Sequence, residues 1–218
     1  MLIAHKITIW RDFTTTSEGG SINLFMRKRR SRNFQAYCDP SSEYLWAIDS
    51  RGRVLAKRTR AESHRRGVIH RAVHVIVLDP KGRVLVKKRS ESKDMFPSQW
   101  ETSVGGHVTY GDNTQETATR ELEEELGISE TPLFLGRLRY RGREEKENIT
   151  LFYVITEKKP KLNLFEATRG EYVTIHELET ALERRRFVDG SREELEVIKR
   201  LLSKLQKEKR RIKVKESI

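Results

Sequence analysis

Between residues 105 and 128 the chain reads GGHVTYGDNTQETATRELEEELGI, which sets Glu121, Glu123, Glu124 and Glu125 within about one and a half helical turns. Like charges at helical spacing repel, each close pair by a few tenths of a kcal/mol. On a helix Glu121, Glu124 and Glu125 share an arc of about 100°, beside an Ala118, Leu122, Leu126 stripe that belongs in a core. Carboxylates at that border lose part of their hydration and need a partner. Arg120, four residues before Glu124, can balance one. A hard divalent cation, Mg2+ or Mn2+, can balance the rest, because such ions take oxygen ligands and tolerate bound water and phosphate oxygens. The competing reading is a solvated Glu/Arg face. Gly105 and Gly106 favour the cation, since a strand-to-helix loop without side chains lets backbone approach a ligand or metal.

The elements that must position these acids are marked along the chain. Asp112 or Asn113 can cap the acidic helix, with Gln115 or Glu116 three residues on, and Gly127 stands where a C-terminal glycine belongs. Upstream, EYLWAID, the turn SRGR and VLAKR read as a hairpin. GVIHRAVHVIVL reads as a strand covered on both faces, and RVLVKKR returns beyond the DPKG turn as its partner. Two more strands are expected around LFLGRLRY and NITLFYVITE. Two helices close the chain, TIHELETALE with a Thr174/Glu177 capping box and SREELEVIKRLLSKLQ with a Ser191/Glu194 box. The second carries a Leu195, Ile198, Leu202, Leu205 stripe, and the basic end KLQKEKRRIKVK is expected to fray. Strands interleaved with these helices imply an α/β fold whose mixed sheet is covered on both faces.

Hydrophobic residues make up 36% of the 218 and charged residues 35%, enough apolar content for one core if the charge lies on surfaces and tails. Residues 1–40 read as a poorly packed basic extension, residues 41–185 as the main domain and 186–218 as a C-terminal helix with a basic tail. Met26 offers an alternative start. The formal net charge of +12 points to phosphate-bearing partners. Cys38 is the only cysteine, which excludes an intrachain disulfide. No apolar run approaches the ~20 residues of a membrane span, so a cytoplasmic protein without membrane contact is expected.

In register, the quoted stretch resembles the Nudix box, G-x5-E-x7-R-E-U-x-E-E-x-G-U, where U is a bulky aliphatic residue. Gly106, Arg120, Glu121, Leu122, Glu124, Glu125, Gly127 and Ile128 match, and Asp112 stands where the first glutamate belongs, which puts that position's role in question. The resemblance covers roughly residues 43–185. It implies a Nudix-like α/β/α sandwich with a mixed β-sheet and hydrolysis of a nucleoside diphosphate linked to another group. It further implies that Glu121, Glu124 and Glu125 hold the metal ions, that Arg120 orients them, and that Gly105 and Gly106 approach the substrate. Whether Glu124 or Glu125 acts as the base stays open.

The flanking HRAVHVIVLDPKGRVLVKKRS and SVGGH resemble the branch that includes isopentenyl-diphosphate isomerase. That likeness implies metal binding by His70 and His107 with His64 near a third ligand position. It also implies diphosphate binding by Arg89 and Lys93, Trp100 beside the site and Tyr140 in proton transfer. Gly105 falls where the isomerase has its protonating cysteine. Allylic isomerisation needs a donor and an acceptor on opposite faces, so hydrolysis is the expectation and isomerisation the alternative. A third reading is a non-catalytic Nudix-fold module for RNA or nucleotides, with the basic runs at 27–32 and 204–215 as phosphate contacts. It lacks the aromatic platform of single-strand binders. Glu147, just before NITLFYVITE, offers a further metal carboxylate, but in the acidic loop RGREEKEN it reads first as a solvated one, and Trp100 reads as core. Homodimers are expected from similar proteins.

Overall fold

A computed structural model describes residues 42–102, 104–142 and 145–216, the side chains of the last helix as far as Glu208. The expected extension and the basic run at 27–32 lie outside the described residues. Strands β1 (Tyr44–Ile48) and β2 (Val54–Thr59) form the expected hairpin. Its turn is held by Asp49, whose Oδ1 accepts from the Arg51 and Arg53 amides at 2.9 Å each. A short helix, α1 (Arg60–Arg66), follows, capped by Thr59 and stopped by left-handed Gly67. It is too short and too polar to show an apolar period. Then come β3 (His70–Leu78), β4 (Val84–Arg89), β5 (Trp100–Glu101), β6 (Val104–His107) and the acidic helix α2 (Thr114–Leu126). Strands β7 (Leu133–Arg141), β8 (Lys146–Ile155) and β9 (Ala167–Val173) precede helices α3 (Ile175–Arg184) and α4 (Ser191–Glu216).

The hub is β3. It runs parallel to β8 from His70↔Glu147 to Leu78↔Ile155 and antiparallel to β6 from Ala72↔His107 to Val75↔Val104. Both of its edges are therefore occupied. This corrects the simple β3–β4 hairpin: the two strands meet only at Leu78↔Val84, and β4 pairs instead with β9 and β5. Strand β7 extends the sheet beyond β8.

Alternation along β3 sends its residues into two cores. Val73, Val75 and Val77 join Val104, Val108, Phe152 and the Ala118, Leu122, Leu126 stripe of α2. Ile76 and Leu78 join Val84, Val86, Leu178 and Leu182, together with Leu195 and Ile198 of α4. Each such leucine contributes roughly 1.5–3 kcal/mol of burial. The result is α2, a mixed sheet, then α3 and α4: three layers, as expected. Trp100 belongs to the second core.

Helix α3 has its reciprocal cap: Thr174 Oγ1 accepts from the Glu177 amide at 3.2 Å, and Glu177 Oε2 accepts from the Thr174 amide at 2.7 Å. The Ser191/Glu194 cap is a correction. Ser191 is the first helical residue, the Glu194 amide bonds Gly190 O at 3.1 Å, and the Glu194 carboxylate reaches into the sheet. Helix α4 also continues through Glu216 instead of ending before the basic run. No described helix is long and apolar enough to cross a membrane.

Candidate active site

Helix α2 starts at Asn113, whose Oδ1 accepts from the Glu116 amide at 2.9 Å, and ends at left-handed Gly127. Between these stops Glu121 and Glu125 lie against β6, while Glu124 is more exposed and pairs with Arg120. Glu121 packs on Gly106 so closely that a Cβ there would fall 2.4 Å from the Glu121 carboxyl carbon. Only glycine fits. Arg120 Nη1 lies 2.8 Å from Glu121 and 3.2 Å from Glu124. Glu125 is buried: Lys87 Nζ sits 2.7 Å from its Oε2, and the Gly105 amide donates to its Oε1 at 3.3 Å. Lys87, itself buried, also binds Glu101, which takes a further bond from Arg89 Nη1 at 2.9 Å.

The charge balance leaves this face short of cations. Burial pushes the Glu121 carboxyl up to about 8; Arg120 opposes this, while Glu125 and Glu124 add to it. Burial also raises Glu125, against Lys87 and with Glu101 and Glu166 repelling it. Glu101 goes the other way: despite burial, Lys87 and Arg89 hold it down at about 2. Glu121 and Glu125 thus favour a proton chiefly because they are buried, and a hard divalent ion bound beside them would take that proton's place. The oxygens of Glu121, Glu124 and Glu125 do not all lie within 4.8 Å of one another. Asp112 is exposed in the turn before the helix and adds to the field on Arg120.

A second group lies on the opposite face of the same strands. His64, His70 and His107 bring one ring nitrogen each within 4.8 Å of one another, and His107 does so with Glu145 and Glu147. His107 Nε2 lies 3.4 Å from Glu147 and 3.7 Å from Glu145. His70 donates from Nδ1 to Val68 O at 2.9 Å, which turns Nε2 toward Glu147 at 3.6 Å. The Nε2 atoms of His64 and His70 are buried without a hydrogen-bond partner. Three imidazoles and two carboxylates converging, with two ring nitrogens orphaned, fit a metal ion that accepts nitrogen. Burial lowers His64 to about 4, with His107 repelling it; His107, despite burial, is held at about 9 by Glu145 and Glu147.

Glu147 corrects its reading as a solvated carboxylate: it is 5% exposed and lies across from His70 in the parallel β3–β8 pairing. Arg89 and Lys93, expected on the substrate, are engaged inside the protein. Arg89 donates to Met95 O as well as Glu101, and Lys93 Nζ sits 2.9 Å from Glu166. Tyr140 donates to Asp189 Oδ2 at 3.0 Å, beside a cavity of about 520 Å3 that also touches Arg185, Arg186, Phe187 and Gly190. Burial and Asp189 raise the Tyr140 hydroxyl above its ordinary range. Trp100 is buried as expected, with the Arg185 guanidinium 4.6 Å from its ring centre. Glu101 and Glu145 were not singled out from sequence; Glu194 was read only as a helix cap, and Lys87 only with Lys88 and Arg89 as an exposed strand end, whereas it is buried. Strand periodicity around Lys87 was the one available signal.

An acidic helix packed through a glycine strand onto a mixed sheet is the architecture of the Nudix class. The NUDIX domain model matches residues 68–196, and the chain belongs to that family. The match reaches past residue 185 into the first turn of α4. In particular, the chain is 39% identical over 90 residues to an uncharacterized Nudix hydrolase of Yersinia pestis, covering 41% of this chain and 50% of that protein. It is 40% identical over 92 residues to an uncharacterized Nudix hydrolase of Streptomyces coelicolor, covering 42% and 51%. The chain thus spans about half the length of these curated relatives. A crystal structure from Deinococcus radiodurans superposes with a TM-score of 0.61 at 23% identity, covering 72% of this chain and 98% of that one. The MutT protein of Methanosarcina mazei superposes at 0.52 with 24% identity, covering 61% and 94%. At that identity the likeness is one of fold.

Proposed function

We propose that the chain is a divalent-metal-dependent hydrolase that cleaves the diphosphate linkage of a small molecule, a nucleoside diphosphate derivative or a related compound. The observation that carries this reading is the acidic signature on α2 set against β6: Glu121 packs on Gly106, Arg120 lies between Glu121 and Glu124, and Glu125 reaches the Gly105 amide. Bound there, Mg2+ or Mn2+ would neutralise phosphate charge and acidify a water, the two needs of attack on an anionic phosphorus centre. The protein's own groups do the rest. Arg120 holds Glu121 and Glu124 together, Lys87 fixes Glu125, and Gly106 leaves room for Glu121 to lie against β6. Glu124, the most exposed of the three, can take a proton from water.

His64, His70 and His107, with Glu145 and Glu147, would hold a second ion, and this nitrogen-rich set suits Mn2+ better than Mg2+. That group supports the branch related to isopentenyl-diphosphate isomerase. Isomerisation itself is not supported, because Gly105 brings no proton donor of its own, and an assay for dimethylallyl diphosphate is expected to be blank. The substrate is a diphosphate-containing small molecule, with no membrane and no nucleic acid required.

The test is a metal-supplemented screen of nucleoside diphosphate derivatives, dinucleotides, sugar nucleotides and prenyl diphosphates, run with the wild type and Glu124→Gln. Hydrolysis by the wild type and its loss in the variant supports the reading. No hydrolysis across the panel, or equal rates in both proteins, removes it.

A further inference from the structure

We propose that His74 is an anion-binding residue of the histidine face, donating from Nε2 to a phosphoryl oxygen of the bound diphosphate, with Glu194 as its positioning residue. This rests on the diphosphate reading above: among the described residues β6 pairs with β3 alone, and the Glu125–Lys87–Glu101 ion pairs run toward His74, so a substrate seated at the open edge of β6 would reach both faces.

The placement comes from the sheet. His70, Ala72 and His74 point to one face of β3, and their neighbours on β8 and β6 are Glu147, His107 and Gly105 respectively. His74 therefore stands one pleat from the metal-type cluster, about 7 Å along β6 from His107 to Gly105. Gly105 makes room for it. A Cβ on that residue would lie 3.1 Å from His74 Cδ2 and 3.3 Å from Nε2, so the imidazole edge occupies the space a side chain would take.

The ring is also aimed. Its Nδ1 is bound by Glu194, and Glu194 is fixed in turn by the Thr102 hydroxyl, which is fully buried. That uses the inner nitrogen and turns Nε2 outward, where His74 keeps 23% of its side-chain surface exposed. Among the described residues Nε2 makes no hydrogen bond. Burial opposes a charge on the ring, but Glu194, with Glu147 and Glu101 beyond it, holds it protonated up to about 9. A carboxylate-oriented imidazolium with a free outward N–H is a donor for an anion. A purely structural clamp between β3 and α4 would have no use for the outward nitrogen.

The experiment uses the full-length chain with Mg2+ and methylenediphosphonate, a diphosphate that cannot be hydrolysed. Ring 1H–15N correlation spectra are expected to show the His74 Nε2 resonance moving on binding. Two variants separate the nitrogens. His74→Asn retains a donor near the Nδ1 position and is expected to bind the diphosphonate about tenfold more weakly, the value of one charge-assisted hydrogen bond. His74→Gln retains a donor near Nε2 and should stay closer to the wild type. Glu194→Gln should raise KM several-fold while kcat holds, a split that loss of stability alone would not produce. No binding by the wild type, an unmoved Nε2 resonance, or equal affinity in the wild type and a folded His74→Asn overturns the proposal. If the resonance moves but no diphosphate is hydrolysed, the hydrolase reading falls and this contact stands. If diphosphates are hydrolysed with Nε2 unmoved, the reverse holds.

Discussion

The two faces of strand β6 solve the same problem with opposite materials. Toward α2, one helix supplies three carboxylates at i, i+3 and i+4, and the protein's own cations, Arg120 and Lys87, offset only part of their charge. On the other face, α1, β3, β6, the loop before β8 and β8 itself each supply one ligand-type side chain, and imidazole and carboxylate already balance one another. The first group keeps negative charge that its own cations do not fully offset. The second can stand as an ion-pair cluster and would bind an ion by exchanging protons for it. A site built from one helix is set by spacing; a site built from five segments is set by topology.

That contrast can be broken most sharply at Glu124. Glu124→Gln removes a ligand-type oxygen without opening the core, and is expected to lower turnover on any diphosphate substrate about 1,000-fold while thermal melting stays near the wild type. A rate within tenfold would mean that the acidic face is ordinary surface. The next effect is on stability. Glu101→Gln leaves Lys87 and Arg89 without their shared carboxylate and should cost roughly 3–5 kcal/mol at pH 7, read by urea unfolding. Because Glu101 is held at about 2, below its ordinary 4.5, its stabilisation is complete above pH 4.5 and is lost as pH falls toward 2. The gap between the two proteins should therefore close on acidification, and a gap independent of pH would contradict the assigned ion pair.

Gly106→Ala tests the cradle directly. The added methyl must displace Glu121, and turnover should fall by about 10- to 100-fold, the scale set by small misplacements of catalytic groups. An unaffected rate would show that Glu121 is not needed where it lies. The smallest effect is expected from the opposite face. His107→Gln should weaken Mn2+ binding about tenfold by calorimetry, with a lesser change in the Mg2+-supported rate. Equal Mn2+ affinity in the variant would reduce the histidine group to a structural cluster.

The same contrast governs what could be read from the chain beforehand. Glu121, Glu124, Glu125, the stripe beneath them and Gly127 were readable because a helix converts spacing into geometry with no knowledge of the rest. The pairing of His70 with Glu147 was not, because it depends on β3 and β8 lying parallel, a choice made by their hydrophobic faces across seventy-odd residues of intervening chain. Glu147 therefore passed for a solvated loop acid. Glu194 shows a subtler miss. Its spacing from Ser191 satisfies a capping pattern, yet the helix begins at Ser191 itself and the carboxylate finds His74 and Thr102. Arg89 and Lys93, expected to face a ligand, carry ion pairs with buried Glu101 and half-buried Glu166 that the sequence did not reveal. Local pattern does not reveal which acids topology will deliver.

One feature of β6 bears on how such a molecule tolerates change. Gly106 faces the carboxylates and His107, its neighbour in sequence, faces the imidazoles, because successive residues of a strand project to opposite sides. Inserting or deleting a single codon within residues 104–107 would swap them, driving an imidazole into the acidic helix and leaving a void among the histidines. Length variants in the 90–99 connection, by contrast, can be absorbed outside the ladder. Indels at the strand should thus disrupt both candidate sites in one step, whereas substitutions can retune either one alone.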